Sequence, residues 1–356
     1  MSLEIDSVPL QIHAPLPWQI ASWRRLLEQQ RTRKMAHAYL ICGEQGIGKF
    51  QMIFAFANFL LCLNPGDLKA CGNCVNCNLG ASGNHPDVLV VQPEAGSRDI
   101  KIDQIRALAE FVSKTSHSGL MKLIVINRAH HLNSSAANSL LKTLEEPSGN
   151  THIFLVTERA DNLPATLRSR CQRLLMQTPS LKEAAQWLEM QGIESSLANR
   201  LAIAAGMRPL HALEIAEADD LMGAEDFLEC LTAVRQRRTT LQSAVNIAVK
   251  MGDASAVEYL LRTSSIVIRS LLTNAADNDK DKDKLIIDLV KTFVGKNSTG
   301  TTVKHLLLFN LETEKALRQL RSGTNPNAQL LLESLLWQWS QLGKVSYVQL
   351  TVARMT

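Results

Sequence analysis

The sequence lacks a long uninterrupted apolar run, since no segment approaches the roughly 18 to 20 apolar residues that a membrane-spanning helix requires. The first residues, MSLEIDSVPLQIHAPLPW, also lack the basic segment followed by an apolar segment that marks a secretory signal. Both absences disfavour membrane insertion and secretion. We therefore expect a cytoplasmic protein without a membrane partner.

Glycine and proline are also scarce, with 18 Gly and 11 Pro among 356 residues. This scarcity argues against collagen-like and low-complexity classes, and a hydrophobic content of 46% argues against a disordered chain. The chain is longer than one hydrophobic core usually supports, so two or three domains are expected.

A strong charge bias is missing as well, because 38 basic and 34 acidic residues leave a net charge of only +4. Before Thr178 there are 18 basic against 14 acidic residues, and after it 20 against 20. Proteins that hold nucleic acid through its phosphates normally show a stripe of like charge. The composition therefore gives no electrostatic argument for direct DNA binding.

From about His37 to Thr178 the chain alternates short β-branched runs with stretches of helical period. This pattern is typical of an α/β domain in which helices flank a parallel sheet. Strands are predicted at 38–42, 88–91, 123–127 and 153–157, and helices at 48–63, 102–114, 134–145 and 164–170. Beyond Thr178 the strand signal disappears, and Leu, Ala, Glu and Gln recur at helical spacing.

These shifts in pattern predict three domains. Residues 1–178 form the α/β domain, residues 179–220 a small helical domain, and residues 221–356 a larger all-helical domain. Ser180 is the expected N-cap of the first of three short helices in the second domain, and Gly206 and Pro209 interrupt the last of them.

After the first strand, the segment CGEQGIGKF matches the spacing G-x-x-x-x-G-K of a phosphate-binding loop. Glycines let backbone N–H groups close on a phosphate, the following helix N-terminus favours the anion, and the lysine neutralises it. The predicted phosphate-binding residues are Gly43, Gly46, Gly48 and Lys49.

The groups that would hold magnesium at such a site are missing. Phe50 stands where a Ser or Thr hydroxyl is expected, and the next apolar strand is followed by Asn127 and Arg128 instead of carboxylates. We predict a degenerate phosphate loop that does not hydrolyse ATP. Whether phosphate or nucleotide still binds is left open by the sequence.

Four cysteines in 16 residues, Cys62, Cys71, Cys74 and Cys77, follow the spacing C-x8-C-x2-C-x2-C. Four soft ligands suit tetrahedral Zn²⁺, and they leave no position for water, so a structural zinc module at residues 62–77 is predicted. The remaining cysteines, Cys42, Cys171 and Cys230, are interpreted as small buried apolar residues.

The segment from His130 to Leu174 carries the motif A-N-x-L-L-K-x-L-E-E-P and, after a short helix, S-R-C. In this it resembles the clamp-loader ATPases of bacterial DNA polymerase III, and the inserted cysteine quartet agrees with that family. The matching residues are Ala137, Asn138, Leu140, Leu141, Lys142, Leu144, Glu145, Glu146, Pro147, Ser169, Arg170 and Cys171.

The resemblance implies an AAA+ domain, a small helical lid and an α-helical collar that holds a ring of subunits together. It implies that Arg170 reaches the nucleotide of a neighbouring subunit in trans, and that Arg208 lies where family members contact phosphate from the lid. It also implies a hetero-oligomeric ring with ATPase subunits and a clamp-opening subunit. That complex would act on a sliding clamp and primer-template DNA as part of a DNA-directed DNA polymerase holoenzyme.

Among family members with the cysteine quartet and S-R-C, the hydrolysing type keeps the magnesium groups, so this chain resembles the non-hydrolysing type. Two alternatives remain, an active ATPase motor subunit and a zinc-dependent DNA-binding module, although Lys69 is the only basic residue from Leu68 to Gly83. Histidines His130 and His131 are interpreted as structural. The last helices contain more apolar residues than one bundle helix needs for its own core, which predicts a surface that meets a partner. Examples are Leu330, Leu331, Leu332, Leu335 and Leu336.

Overall fold

Five parallel strands form one sheet in the computed structural model, in the order β2-β3-β4-β1-β5. The model describes residues 13–94, 96–145, 149–217, 221–272, 284–294, 299–321 and 327–342. The strands are β1 (Ala38–Cys42), β2 (Val88–Val91), β3 (Lys122–Ile126), β4 (Thr151–Thr157) and β5 (Gln172–Leu175). Because the strands are parallel, their carboxyl ends lie at the same edge of the sheet. Strand β4 lies between β1 and β3, so the ends of these three strands are neighbours.

Side chains of β1 alternate between two apolar cores, one on each face of the sheet. Tyr39 and Ile41 enter the core that is completed by α1 (Ile20–Arg31), α2 (Lys49–Leu61) and α3 (Val75–Ala81). Leu40 enters the opposite core, with α4 (Ile102–Ser113), α5 (Ser134–Glu145) and α6 (Ala165–Arg168). A strand that is covered on both faces has a continuous run of apolar residues, and such a run is what identifies β1 in the sequence.

The predicted elements of this half differ from the observed ones mainly at their ends. Strands β1 and β2 and helix α5 have the predicted bounds, whereas β3 begins and ends one residue earlier and β4 begins two residues earlier. The predicted helix at 164–170 covers only four helical residues, because the chain turns at Ser169 towards β5. Helices α1 and α3 and strand β5 were not predicted.

The rest of the described chain is helical, as predicted. The helices are α7 (Leu181–Met190), α8 (Ser195–Ala204), α9 (Pro209–Glu217), α10 (Leu221–Arg235), α11 (Leu241–Met251), α12 (Asp253–Leu272), α13 (Lys284–Lys291), α14 (Thr299–Arg321) and α15 (Ala328–Gln341). Ser180 caps α7 as expected, because its hydroxyl accepts from the N–H of Glu183, whose carboxylate accepts from the N–H of Ser180.

The chain divides into two compact units. One comprises Met1–Ile193 and Met207–Leu213, and the other comprises Glu194–Gly206 and Glu214–Thr356. Helix α7 and the first turn of α9 thus belong to the first unit, and α8 belongs to the second. The three-domain division at 178/179 and 220/221 stays a prediction.

Arg235 ties three helices of the second unit together. Its guanidinium donates to the carbonyl oxygens of Thr292, Trp339 and Leu342 and lies 3.5 Å from the ring centre of Phe293. These carbonyls end or follow α13 and α15, where helical hydrogen bonding leaves acceptors without partners. Arg235, the last residue of α10, therefore serves as a shared C-terminal cap.

The apolar residues of α15 divide between core and surface. Leu332, Leu335 and Leu336 are buried in the second unit, whereas Leu330 is 63% exposed and Trp337 is 38% exposed. Most of the leucines predicted to meet a partner thus pack among their own helices. In the described part of the chain, no helix is long and apolar enough to cross a membrane.

Candidate functional site

The loop between β1 and α2 carries the residues predicted to bind phosphate: Gly43, Gly46, Gly48 and Lys49. Gly48 caps α2 with a φ of +79°, a left-handed conformation that glycine adopts without strain. A Cβ at Gly48 would lie 2.7 Å from the side-chain nitrogen of Gln19, and one at Gly46 would lie 2.9 Å from the Cβ of His211. Glycine is therefore required by close packing as well as by conformation.

Two side chains that precede α1 hold the loop by its carbonyl oxygens. The Trp18 indole nitrogen donates to the carbonyl of Ile47 at 2.9 Å, and Gln19 Nε2 donates to the carbonyls of Ile47 and Gly48 at 3.0 and 2.8 Å. These contacts fix the loop without any bound ligand.

Arg208, predicted as a lid contact, lies at this loop. Its side chain donates to the carbonyl of Gln45 at 3.3 Å, and the residue is only 2% exposed. The backbone N–H of Leu210, in the first turn of α9, donates to the carbonyl of Gly46 at 3.1 Å. The start of α9 and the phosphate loop thus belong to one packed cluster of the first unit.

The ammonium group of Lys49 is held by the chain's own oxygen atoms. Its Nζ donates to the carbonyl of Glu44 at 2.5 Å and lies 3.6 Å from Glu158 Oε1, and only 3% of its side chain is exposed. Burial lowers the pKa of Lys49, while the carboxylate of Glu158 opposes that shift. Lys49 is therefore a buried cation whose partner is Glu158.

Glu158 was not identified from the sequence. It follows β4 directly, at the carboxyl edge of the sheet, where ligand-binding residues of parallel sheets collect; this position is the signal that could have found it. Its second carboxylate oxygen lies 3.3 Å from His130 Nε2, and His130 Nδ1 lies 3.1 Å from the hydroxyl of Thr157. Burial lowers the pKa of His130 to about 4, so the imidazole is neutral near pH 7.

The magnesium side of the loop has no hydroxyl and no carboxylate at the expected positions. Phe50 is 7% exposed and stacks on Phe54 with ring centres 5.8 Å apart. Asn127 follows β3 and donates from its amide to Gln92 Oε1 at 3.3 Å. Arg128 is exposed and has a φ of +54°.

Residues of the long motif on α5 lie on both the buried and the exposed face of the helix. Ala137, Leu140 and Leu144 are buried in the core, whereas Asn138 and Lys142 are exposed. Glu145, the last residue of α5, is also exposed, and Leu141 is partly buried. Glu146 and Pro147 lie outside the residues that the structure describes.

Arg170 lies in the turn between α6 and β5. Its guanidinium pairs with Glu145 Oε1 at 2.5 Å and donates to the carbonyl of Thr166 at 2.9 Å, and 36% of its side chain is exposed. The adjacent Ser169 is exposed, and burial raises the pKa of Cys171 to about 11. Arg170 is therefore a surface cation oriented by residues of the chain's own motifs.

The four cysteine sulfurs predicted as metal ligands converge. The Sγ atoms of Cys62, Cys71, Cys74 and Cys77 all lie within 4.8 Å of one another, and those of Cys71 and Cys77 are 3.8 Å apart. Cys62 follows α2, Cys74 caps α3 and Cys77 lies in its first turn. Although burial opposes ionisation, hydrogen bonds to its sulfur lower the pKa of Cys74 to about 6.

Comparison with known proteins gives consistent names. A family model described as "DNA polymerase III, delta subunit" matches residues 18–180. The DNA polymerase III subunit delta' of Pseudomonas aeruginosa is 40% identical over 172 residues, 48% of this chain and 52% of that protein. The protein of the same name from Buchnera aphidicola subsp. Schizaphis graminum is 32% identical over 344 residues, 92% of this chain and 97% of that protein.

The aligned part of this chain thus spans about half of the Pseudomonas relative and nearly all of the Buchnera relative. Among solved structures, a DNA polymerase III gamma-subunit-related protein from Thermotoga maritima aligns with 90% of this chain and 99% of its own. Its sequence identity is 17% and its TM-score is 0.36.

Proposed function

The chain belongs to the delta' subunit family of DNA polymerase III, and from this membership we propose that it is the non-hydrolysing subunit of a bacterial clamp loader. In this role it assembles with ATPase subunits and a clamp-opening subunit into a ring. Its Arg170 contacts the nucleotide bound by the neighbouring subunit while the complex loads a sliding clamp onto primed DNA.

The observation that carries the proposal is the loss of both magnesium-holding groups beside an intact glycine framework. Phe50 belongs to the apolar core, and Asn127 and Arg128 offer no carboxylate. Phosphoryl transfer depends on magnesium to bridge and neutralise the phosphates. The alternative of an active motor subunit therefore has little support from the site.

The first prediction concerns ATP hydrolysis by the isolated chain. Purified protein with ATP and magnesium should show no turnover above the rate of a Lys49→Ala variant, because the site lacks the metal that stabilises the transferring phosphoryl group. Phosphate release measured with both proteins checks this. Turnover that requires magnesium and disappears in Lys49→Ala would reinstate the active-motor alternative.

The geometry of Arg170 supports a role in trans. A partly exposed guanidinium that is already oriented by Glu145 and the Thr166 carbonyl can meet a phosphate at a subunit boundary with little loss of conformational entropy. Guanidinium supplied by a neighbouring subunit stabilises the negative charge of the transferring phosphoryl group and accelerates transfer by roughly 10³ to 10⁵.

The second prediction tests Arg170 in the reconstituted complex. Arg170→Ala should leave the chain folded and able to assemble, but should lower ATP turnover and clamp loading. The loss should be partial, since only the boundary that faces this subunit loses its cation. Arg170→Lys should restore little, because an ammonium cannot reproduce the bidentate contact of a planar guanidinium.

Arg168→Ala is the matched control for Arg170→Ala. Arg168, the last residue of α6, lies two residues before Arg170 and pairs with the exposed Asp161, so its removal deletes one surface cation nearby. The control complex should keep the wild-type rates. An Arg170→Ala complex that assembles normally and matches the wild type in both rates would leave Arg170 a structural residue.

We also propose that Cys62, Cys71, Cys74 and Cys77 hold one structural Zn²⁺. Tetrahedral sulfur ligands at about 2.3 Å from zinc lie about 3.8 Å from one another, and the Cys71–Cys77 separation of 3.8 Å agrees with this. The ion would draw the ends of α2 and α3 together. With four thiolates bound, it would have no position for water and no catalytic role.

The third prediction is that the purified protein contains about one equivalent of zinc, as metal analysis measures. Cys74→Ser should release the metal and lower the stability of the α3 region, because metal affinity is coupled to local folding. Cys230→Ser, at a buried cysteine of the second unit, should keep the full zinc content. Metal that survives Cys74→Ser would show that the ligand set is wrong.

A further inference from the structure

The lysine of the phosphate loop is paired with a carboxylate of the same chain. Lys49, the residue that such loops offer to a phosphate, has 3% of its side chain exposed, and its ammonium lies 3.6 Å from the carboxylate of Glu158. Glu158 reaches it from the end of the neighbouring strand β4, and its own side chain is 24% exposed. The carboxylate is thus more accessible to solvent than the ammonium group that it faces.

Lys49 and His130 both contact the carboxylate of Glu158. His130 Nε2 lies 3.3 Å from its other oxygen, and burial of this imidazole lowers its pKa to about 4, so the ring contacts the carboxylate without adding charge. Lys49 and Glu158 therefore form a pair of zero net charge. An incoming phosphate would have to separate that pair, and it would leave a carboxylate beside its own negative charge.

The remainder of the loop keeps the features that bind anions. Gly46 and Gly48 have φ of +79°, α2 begins directly at the loop, and Arg208 lies beside it at the Gln45 carbonyl. A glycine-rich turn at a helix N-terminus next to two cations is a general phosphate-binding arrangement. The carboxylate of Glu44 on this loop is exposed, and Glu158 is the carboxylate that pairs with Lys49.

We propose that Glu158 is the specificity-determining residue of this loop, which excludes phosphate groups by supplying the counter-charge of Lys49 from within the chain. Its neutralisation would expose a site for inorganic phosphate and for the phosphates of a nucleotide. Because Phe50 offers no ligand, binding at that site would not need magnesium. The inference concerns the isolated chain and stands or falls independently of the clamp-loader role.

The test is calorimetric titration of the full chain with sodium phosphate and, separately, with ATP, both in magnesium-free buffer. Glu158→Gln should bind at least one of the two ligands at least tenfold more tightly than the wild type. If only the affinity for ATP increases, the site recognises nucleotides. If the affinities for ATP and inorganic phosphate increase equally, the site recognises the phosphate group and not the rest of the nucleotide. The same ligand should raise the melting temperature of Glu158→Gln and not that of the wild type.

Two further variants locate the binding. Glu44→Gln removes an exposed charge of the same loop whose backbone carbonyl, and not its carboxylate, contacts Lys49, so its affinity should stay within about twofold of the wild type. Adding Lys49→Met to Glu158→Gln should abolish the gained affinity. A double variant that still binds as tightly as Glu158→Gln would overturn the proposal.

Breaking a buried ion pair can prevent folding, so Glu158→Asp provides a second route. The shorter side chain keeps its charge but reaches Lys49 less well, and it should give an affinity between those of the wild type and Glu158→Gln. Folded variants, judged by circular dichroism, whose affinities for both ligands equal that of the wild type would overturn the proposal.

Discussion

At the scale of single residues, Asp87 shows how a buried carboxylate can fasten a loop. The residue lies just before β2 with no exposed surface, and its carboxylate accepts from the N–H groups of His117 and Ser118 at 2.7 Å each and from the hydroxyl of Ser116 at 3.2 Å. Burial opposes ionisation, but these hydrogen bonds outweigh it and lower the pKa of Asp87 below 3.8.

The fourth prediction follows from that lowered pKa. Because the unfolded chain binds the proton more readily than the folded chain, Asp87 contributes stability at neutral pH. That contribution is lost as the pH falls through 3.8 towards the folded-state pKa. Asp87→Asn should cost about 2 kcal/mol at pH 7 and reduce the acid dependence of unfolding.

Urea denaturation of wild type and Asp87→Asn at several pH values measures both effects. Asp161→Asn is the control, because the side chain of Asp161 is 99% exposed. If Asp87→Asn unfolded with the same free energy and the same acid dependence as wild type, these hydrogen bonds would contribute nothing to stability.

The sequence alone located side chains that lie close together where a motif fixes their spacing. The glycines of the phosphate loop, Lys49 and the four cysteines are such residues, and their binding of phosphate and zinc stays a prediction. Glu158 and Asp87 were missed because each acts on residues that only the sheet topology brings close. No local pattern distinguishes such a carboxylate from a solvated one.

At the scale of elements, α3 packs on α2 so closely that a glycine is required. A Cβ at Gly80 would lie 2.0 Å from the Oδ1 atom of Asn58, a residue that is 2% exposed and cannot withdraw into solvent. Asn76 adds a hydrogen bond from its amide to the carbonyl of Leu61 at 2.7 Å. The short helix is thereby fixed beside the cysteine cluster.

The fifth prediction is that Gly80→Ala destabilises the protein by about 1 to 3 kcal/mol, because the added methyl group overpacks this contact. Gly66→Ala is the control, since a Cβ there would meet its nearest atom, the carbonyl of Lys69, at an ordinary 3.5 Å. Urea unfolding measures both variants. Equal stabilities of the two would show that α3 can move away from α2 at little cost.

Strands β1 and β2 were predictable despite their shortness because each is a continuous apolar run. Strand β5 was missed because it lies at the edge of the sheet and has only two apolar residues, which follow the polar Gln172 and Arg173 and give too short an apolar signal. Helix α3 was missed because it has only seven residues. Two of them, a cysteine and a glycine, are equally typical of a metal-binding turn. Packing, and not local preference, decides both.

At the scale of the whole molecule, the second unit presents an exposed apolar pair on α15, Leu330 and Trp337. If this surface joins neighbouring subunits, Leu330→Glu should weaken assembly with the ATPase subunits and leave the melting temperature unchanged. Val249→Glu, at a 49% exposed aliphatic residue of α11, is the control. Size-exclusion chromatography of the mixed subunits measures both, and normal assembly of Leu330→Glu would argue against a role for this surface.

The shared cap made by Arg235 has a consequence for how the second unit opens. Since one guanidinium serves the carbonyls at the ends of α13 and α15, neither end can unravel without depriving a partly buried cation of its acceptors. Backbone amides near these ends should therefore exchange with deuterated solvent at a common rate, as one cooperative unit, instead of fraying independently. In Arg235→Met the two ends should exchange at different rates.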